Sequence, residues 1–157
     1  MKIGVISDSH GSISGAKRAI QKMGEVDYLI HLGDYCRDAE RISKELKRDI
    51  IYVKGNCDLG SDVETDKVIE VGGKKIFLTH GHKYNVKFDY MDLYYKAEEI
   101  GVDAVLFGHT HFAEVFEKNG ILFINPGSVS RPRNGIETYG VITVDGGNIV
   151  PNIVELY

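Results

Sequence analysis

The chain predicts an α/β fold of two mixed sheets packed face to face, with helices outside. Three observations carry that prediction. Short runs rich in Ile, Val, Leu and Phe alternate with helical segments through the first half, as in βαβ units. Glycine-marked turns between apolar runs give three hairpins in the second half. Polar motifs stand at the ends of several apolar runs, where open α/β sheets bind ligands.

Residues 3–7 read as the first strand, and residues 15–23 as a helix that Ser12 or Ser14 can cap. Residues 28–32 form a second buried strand, residues 37–47 a helix and residues 50–53 a third strand. Buried units of this kind predict a parallel sheet with right-handed crossovers. Residues 68–71 and 74–79 then flank Gly72-Gly73, a hairpin signal. A helix over 88–100 follows, and residues 104–107 give another buried strand. Residues 112–117 and 121–124 flank Lys118-Asn119-Gly120, and residues 139–144 and 149–154 flank Asp145-Gly146-Gly147. No repeat, low-complexity tract or linker divides the chain, so residues 1–157 read as one domain.

That length can bury a core without disulfide staples. At 43% hydrophobic and 27% charged, the composition is that of a folded, soluble protein. Net charge is −4, from 19 basic against 23 acidic side chains, with no Lys/Arg stripe to support duplex nucleic acid binding. The sequence enters an apolar strand directly after Met1-Lys2, which leaves no room for a signal peptide. No apolar run approaches the roughly 20 residues that a bilayer requires. Cys36 and Cys57 form neither a disulfide framework nor a Cys-x-x-Cys pair, so a cytoplasmic, reducing location is expected. Neither heads a thiol-phosphatase motif, since the arginine position is Ile42 in one case and Val63 in the other. Gly72-Gly73-Lys74 is no phosphate loop either, because Val68 holds the place of its first glycine.

The histidines are more informative. Five of the six fall in Asp8-Ser9-His10, His80-Gly81-His82 and Gly108-His109-Thr110-His111. Gly33-Asp34 and Gly55-Asn56-Cys57-Asp58 end similar apolar runs. A lone Asp-x-His more often caps a turn than binds metal. Imidazoles and carboxylates gathered from five strand ends, without competing thiolate pairs, suit a pair of divalent ions. His31 lies inside its strand and reads as a hydrogen-bonded core residue or one that supports the ligands from behind. The aromatics between Tyr84 and Tyr95 read as helix packing or a homodimer contact before a nucleobase wall.

The five motifs, in this order and followed by Asn125-Pro126-Gly127-Ser128, resemble the calcineurin-like metallophosphoesterases, within them the small YfcE-like branch. The resemblance spans residues 1 to about 130. It implies a four-layer α/β/β/α sandwich and a dinuclear centre hydrolysing a small phosphoester substrate. Asp8, His10 and His111 would hold one metal, Asn56, His80 and His109 the other, with Asp34 shared, one oxygen facing each ion. Two divalent ions and two carboxylates leave about +2, enough to attract a bridging hydroxide as nucleophile without any protein nucleophile. Manganese is the first expectation, with zinc, nickel, iron or magnesium able to use the same ligands.

One position departs from the wider superfamily. Cys57 stands where many members have a histidine that protonates the leaving group, which predicts better turnover of activated phosphodiesters than of poor leaving groups. Asp58 is expected to orient the Asn56 loop. His82, Ser128, Arg131 and Arg133 are candidates for second-shell or substrate contact. The rival reading is a non-catalytic scaffold for protein–protein interaction, resembling a eukaryotic retromer subunit. That scaffold has lost a metal-binding histidine, whereas all seven side chains are present here.

Overall fold

β1 (Lys2–Ile6) is buried at every position after Lys2. A strand buried on both faces belongs in the middle of a sheet covered on both sides. The computed structural model, which describes residues 1–157, places it there. On one side β1 pairs in parallel with β2 (Tyr28–His31), which pairs in parallel with β3 (Ile51–Tyr52). On the other it pairs antiparallel with β9 (Thr138–Asp145), the inner strand of a hairpin with β10 (Asn148–Glu155).

The second sheet is built from β4 (Asp66–Val71), β5 (Lys74–Thr79), β6 (Ala104–Leu106), β7 (Glu114–Lys118) and β8 (Ile121–Asn125). Its order is β4-β5-β6-β8-β7, with β5, β6 and β8 parallel and the two outer strands antiparallel. Between the sheets lies a core that includes Ile3, Val5, Ile30 and Leu32 from the first and Ile76, Leu78, Leu106 and Ile124 from the second.

Outside the first sheet run α1 (Ile13–Met23) and α2 (Cys36–Leu46); outside the second runs α3 (Met91–Ile100). Helix α1 buries Ala16, Ala19, Ile20 and Met23, one stripe at helical spacing. The stripe packs on Ile6, Leu29 and Tyr139 of the sheet. Leu93, Tyr94 and Ala97 of α3 pack on Phe77, Val105 and Phe123. The result is a four-layer α/β/β/α sandwich of two mixed sheets, as expected. No helix is long and apolar enough to cross a membrane.

The helix expected over 88–100 begins at Met91 instead. His82–Tyr84 form a 3-10 turn, and Phe88 and Asp89 donate their N–H groups to the Asn85 carbonyl. The Asp89 carboxylate then accepts from Met91 N at 3.0 Å. Phe88, 90% exposed, contributes nothing to the packed face that its spacing suggested. The other apolar runs become strands with ends shifted by one to a few residues, within the usual uncertainty of such boundaries.

Candidate metal centre

Parallel strands that share a direction share a carboxyl end, and here both sheets point theirs to one rim. Asp8 and His10 follow β1, Asp34 follows β2 and Asn56 follows β3. His80 follows β5, while His109 and His111 follow β6. The sheets are stitched at this rim: His109 N donates to Asp8 Oδ2 at 3.1 Å, and His80 Nδ1 meets the Leu32 carbonyl at 2.8 Å.

Asp8 is fully buried and its two oxygens differ. Oδ2 accepts from Ser7 Oγ at 2.6 Å and from His109 N. Oδ1 has no hydrogen-bond partner. Around it stand His111 Nε2 at 3.2 Å, His80 Nε2 at 3.7 Å and His10 Nε2 at 3.9 Å. An orphaned carboxylate oxygen faced by three imidazole nitrogens is costly for a protein alone, and is the donor set a divalent ion takes. Asp34 Oδ2 lies 3.3 Å from His80 Nε2 and 3.5 Å from His10 Nε2.

These atoms form two overlapping groups able to hold metal, Asp8, His10, Asp34 and His111, and Asp34, His80 and His109. Asp34 belongs to both. Its Oδ1 also accepts from Cys57 N at 3.0 Å, while Oδ2 faces His80 and His10. The family implies divalent metal ions, and the residues present fit them.

The outer nitrogens of two imidazoles are fixed. His80 Nδ1–H donates to the Leu32 carbonyl, and His111 Nδ1–H to that of Arg131 at 2.6 Å. Each bond leaves Nε2 free to face the centre. Close approach also needs glycine. A Cβ on Gly108 would lie 2.2 Å from Ser7 Oγ and 2.8 Å from Asp8 Oδ2, and one on Gly55 2.1 Å from Asp34 Oδ1.

The charges respond to this crowding. Burial would raise both carboxyls, but the neighbouring imidazoles, His111 and His80 at Asp8 and His80 at Asp34, outweigh it and hold them below the usual range. For His80, burial is overcome by Asp34 and Asp8, and its pKa rises; His111 rises through its contact with Asp8. His10 falls through burial, and His109 falls to about 4 through burial and the nearby His80. The direction at His80 and His111 favours the protonated imidazole, with which a metal would compete.

Among the remaining candidates, Asn56 is exposed, and its Nδ2 lies 3.7 Å from Cys57 Sγ. Asp58 accepts N–H bonds from Gly55, Cys36 and Asp34 at 2.8, 2.9 and 3.1 Å, tying the Asn56 loop to that of Asp34. The His82 ring lies 5.5 Å from that of His80, and its Nδ1 is buried without a partner. Ser128 is fully buried and donates to the Asp8 carbonyl at 2.8 Å, so it shapes the loop and is out of a substrate's reach. Arg131 and Arg133 line a groove beside His109 and His111.

Sequence reasoning passed over Lys87, which lines the same groove, and Tyr35, whose ring stands 5.4 Å from that of His10. No spacing signals either. It also missed a buried chain beneath the centre: Gly33 N donates to His31 Nδ1, His31 Nε2 meets Ser9 Oγ, and Ser9 donates to Asp38.

Comparison with known proteins agrees with this geometry. The calcineurin-like phosphoesterase superfamily domain matches residues 1–147. "Probable metallophosphoesterase YsnB" of Bacillus subtilis (strain 168) is 38% identical over 148 residues, 92% of this chain and 85% of the relative. A solved structure from Streptococcus pneumoniae TIGR4, described as a "predicted phosphoesterase", is 33% identical with a TM-score of 0.84, covering 99% of this chain and 89% of its own. A single-substitution variant of Vps29 from Entamoeba histolytica is 25% identical with a TM-score of 0.77, covering 99% of each chain. With its motifs, fold and buried carboxylate–imidazole rim in agreement, the chain belongs to the calcineurin-like phosphoesterase superfamily.

Proposed function

We propose that this protein is a metal-dependent phosphoesterase that favours phosphodiesters. Asp8, His10 and His111 hold one divalent ion, Asn56, His80 and His109 the other, and Asp34 is shared. The observation that carries the reading is Asp8 Oδ1, buried, unpartnered and faced by three imidazole nitrogens. When bound, the two ions supply Lewis acidity, which polarises phosphoryl oxygens and makes water nucleophilic at neutral pH. Manganese is the first candidate, because mixed nitrogen and oxygen donors without thiolate suit it.

The chain supplies position and electrostatics. Main-chain carbonyls aim His80 and His111, and Ser7 with the His109 amide orients Asp8. Neither thiol is a credible nucleophile: Cys36 is buried with a raised pKa, and desolvation of its sulfur with the Asp34 carboxylate pushes Cys57 up to about 11. A neutral thiol at Cys57 brings no positive charge to a departing alkoxide, which favours esters with activated leaving groups. Cys57→His should raise turnover of poor leaving groups; a loss on every ester would refute this role.

The defining test strips the protein with chelator and follows bis-p-nitrophenyl phosphate hydrolysis as Mn²⁺, Ni²⁺, Zn²⁺ or Mg²⁺ is restored. Activity that returns with metal and is absent in Asp34→Asn supports the reading. The likeness to Vps29 favours a second one, a protein-interaction scaffold. The complete ligand set speaks for the enzyme. Two ions bound per chain without hydrolysis under any metal would favour the scaffold.

A further inference from the structure

Beside the centre lies a groove of about 360 Å³ lined by Lys87, His109, Thr110, His111, Arg131 and Arg133. No apolar residue lines it, unlike most sites for small organic ligands. Two of its walls are candidate metal ligands, and three others are cations in a chain whose net charge is −4.

Most of the 19 Lys and Arg side chains lack a carboxylate partner, and what sets these three apart is that they meet in one groove. Lys17, Arg41, Lys74, Lys83 and Lys96 each pair with a carboxylate. Lys87, Arg131 and Arg133 have no such partner among the ion pairs. Both arginines are also tied to the centre through their backbone. The Arg131 carbonyl accepts from His111 Nδ1 at 2.6 Å, and Arg131 N donates to Ser128 Oγ at 2.8 Å. Arg133 N donates to the His111 carbonyl at 2.9 Å. The backbone of both arginines is thus anchored beside His111, and their exposed side chains bring unpaired positive charge to the groove next to the candidate centre.

One phosphodiester carries a single negative charge. The metal centre with its hydroxide, at about +1, already balances it. Three further cations in one groove leave an excess that a second phosphate would balance, and arginine forks suit phosphate oxygens. We propose that the groove binds a second phosphate, so that this centre acts on phosphoesters carrying another phosphate group beside the one cleaved. The proposal rests on the phosphoesterase reading above.

Thymidine 5′-(p-nitrophenyl phosphate) and its 3′-phosphorylated counterpart share the bond cleaved and the leaving group, and differ by one phosphate. With the Mn²⁺-loaded protein, kcat/KM should be about tenfold or more higher for the doubly phosphorylated ester, chiefly through KM. The preference should shrink as ionic strength rises. Lys87→Ala, Arg131→Ala and Arg133→Ala should each cut the ratio of the two kcat/KM values severalfold, thermal unfolding confirming a folded protein. An active enzyme with equal kcat/KM for both esters overturns the second-phosphate site and leaves the phosphoesterase reading standing. A preference that survives all three substitutions together overturns its assignment to this groove. No hydrolysis of either ester, or of bis-p-nitrophenyl phosphate, overturns both.

Discussion

The two rims of the sandwich turn the chain by opposite means. At the rim away from the centre the three hairpins turn on Gly72, Gly73, Gly120, Gly146 and Gly147, all with positive φ. Around Gly73, Gly120, Gly146 and Gly147 there is open space, so these glycines serve conformation alone. At the metal rim positive φ falls not only on glycines such as Gly33 but also on Asp8, His10, Asp34, Tyr35, His109 and His111, these six with values from 45° to 72°. Such backbone costs an L-residue on the order of 1 kcal/mol or more. Five of these six are candidate ligands. Positive φ on residues other than glycine is thus concentrated where donors are aimed, Asn119 (φ 49°) being the one such residue in the hairpin turns.

Four experiments bear on that contrast. The largest effect belongs to Asp34→Asn, which removes the shared charge: metal-dependent hydrolysis should fall by about a thousandfold or more. Retained hydrolysis would detach the strained rim from function.

Gly108→Ala comes next. Its Cβ would intrude on Ser7 and Asp8, so a cost of about 2–3 kcal/mol in denaturant unfolding is expected. Because it disturbs what holds Asp8, hydrolysis should drop about 10- to 100-fold as well.

The third concerns pH. Burial holds His31 at about 4, against its ordinary 6.5. The unfolded chain therefore binds the proton first, so this group's contribution is complete above pH 6.5 and is lost as pH falls toward 4. The loss reaches about 3 kcal/mol at most. In metal-free protein, His31→Gln should flatten that part of the stability profile, and an unchanged slope would remove His31 from it. The smallest effect is Gly147→Ala at the far rim. It should cost about 1 kcal/mol of stability and leave hydrolysis intact; a kinetic effect would show that the rims are coupled.

The sequence foretold the glycine rim well and the metal rim only in part. Gly72-Gly73 and Gly146-Gly147 announce turns because glycine alone takes positive φ freely. A left-handed Asp8 or His111 has no such mark, since the conformation is imposed by the surrounding packing against the residue's own preference. The candidate donors were legible by type and order, yet the bond from Cys57 N to Asp34 Oδ1 was not, because it depends on where the Cys57 backbone falls. Lys87 was invisible for a related reason. It reaches the groove from the segment before α3, just ahead of the helix expected over 88–100, where no spacing marks a residue as facing the centre.

One further consequence follows from the way Asp8 is anchored. Its carbonyl is gripped by Ser128 and Ser130, and β1 finds its antiparallel neighbour only in β9, the ninth of ten strands. On a ribosome, the first eight residues emerge long before anything that completes their surroundings. Contacts of such long sequence separation slow folding, since distant segments must meet before either gains. They also act as a gate in time: a nascent chain cannot complete the surroundings of Asp8 until Ser128, Ser130 and β9 have been made.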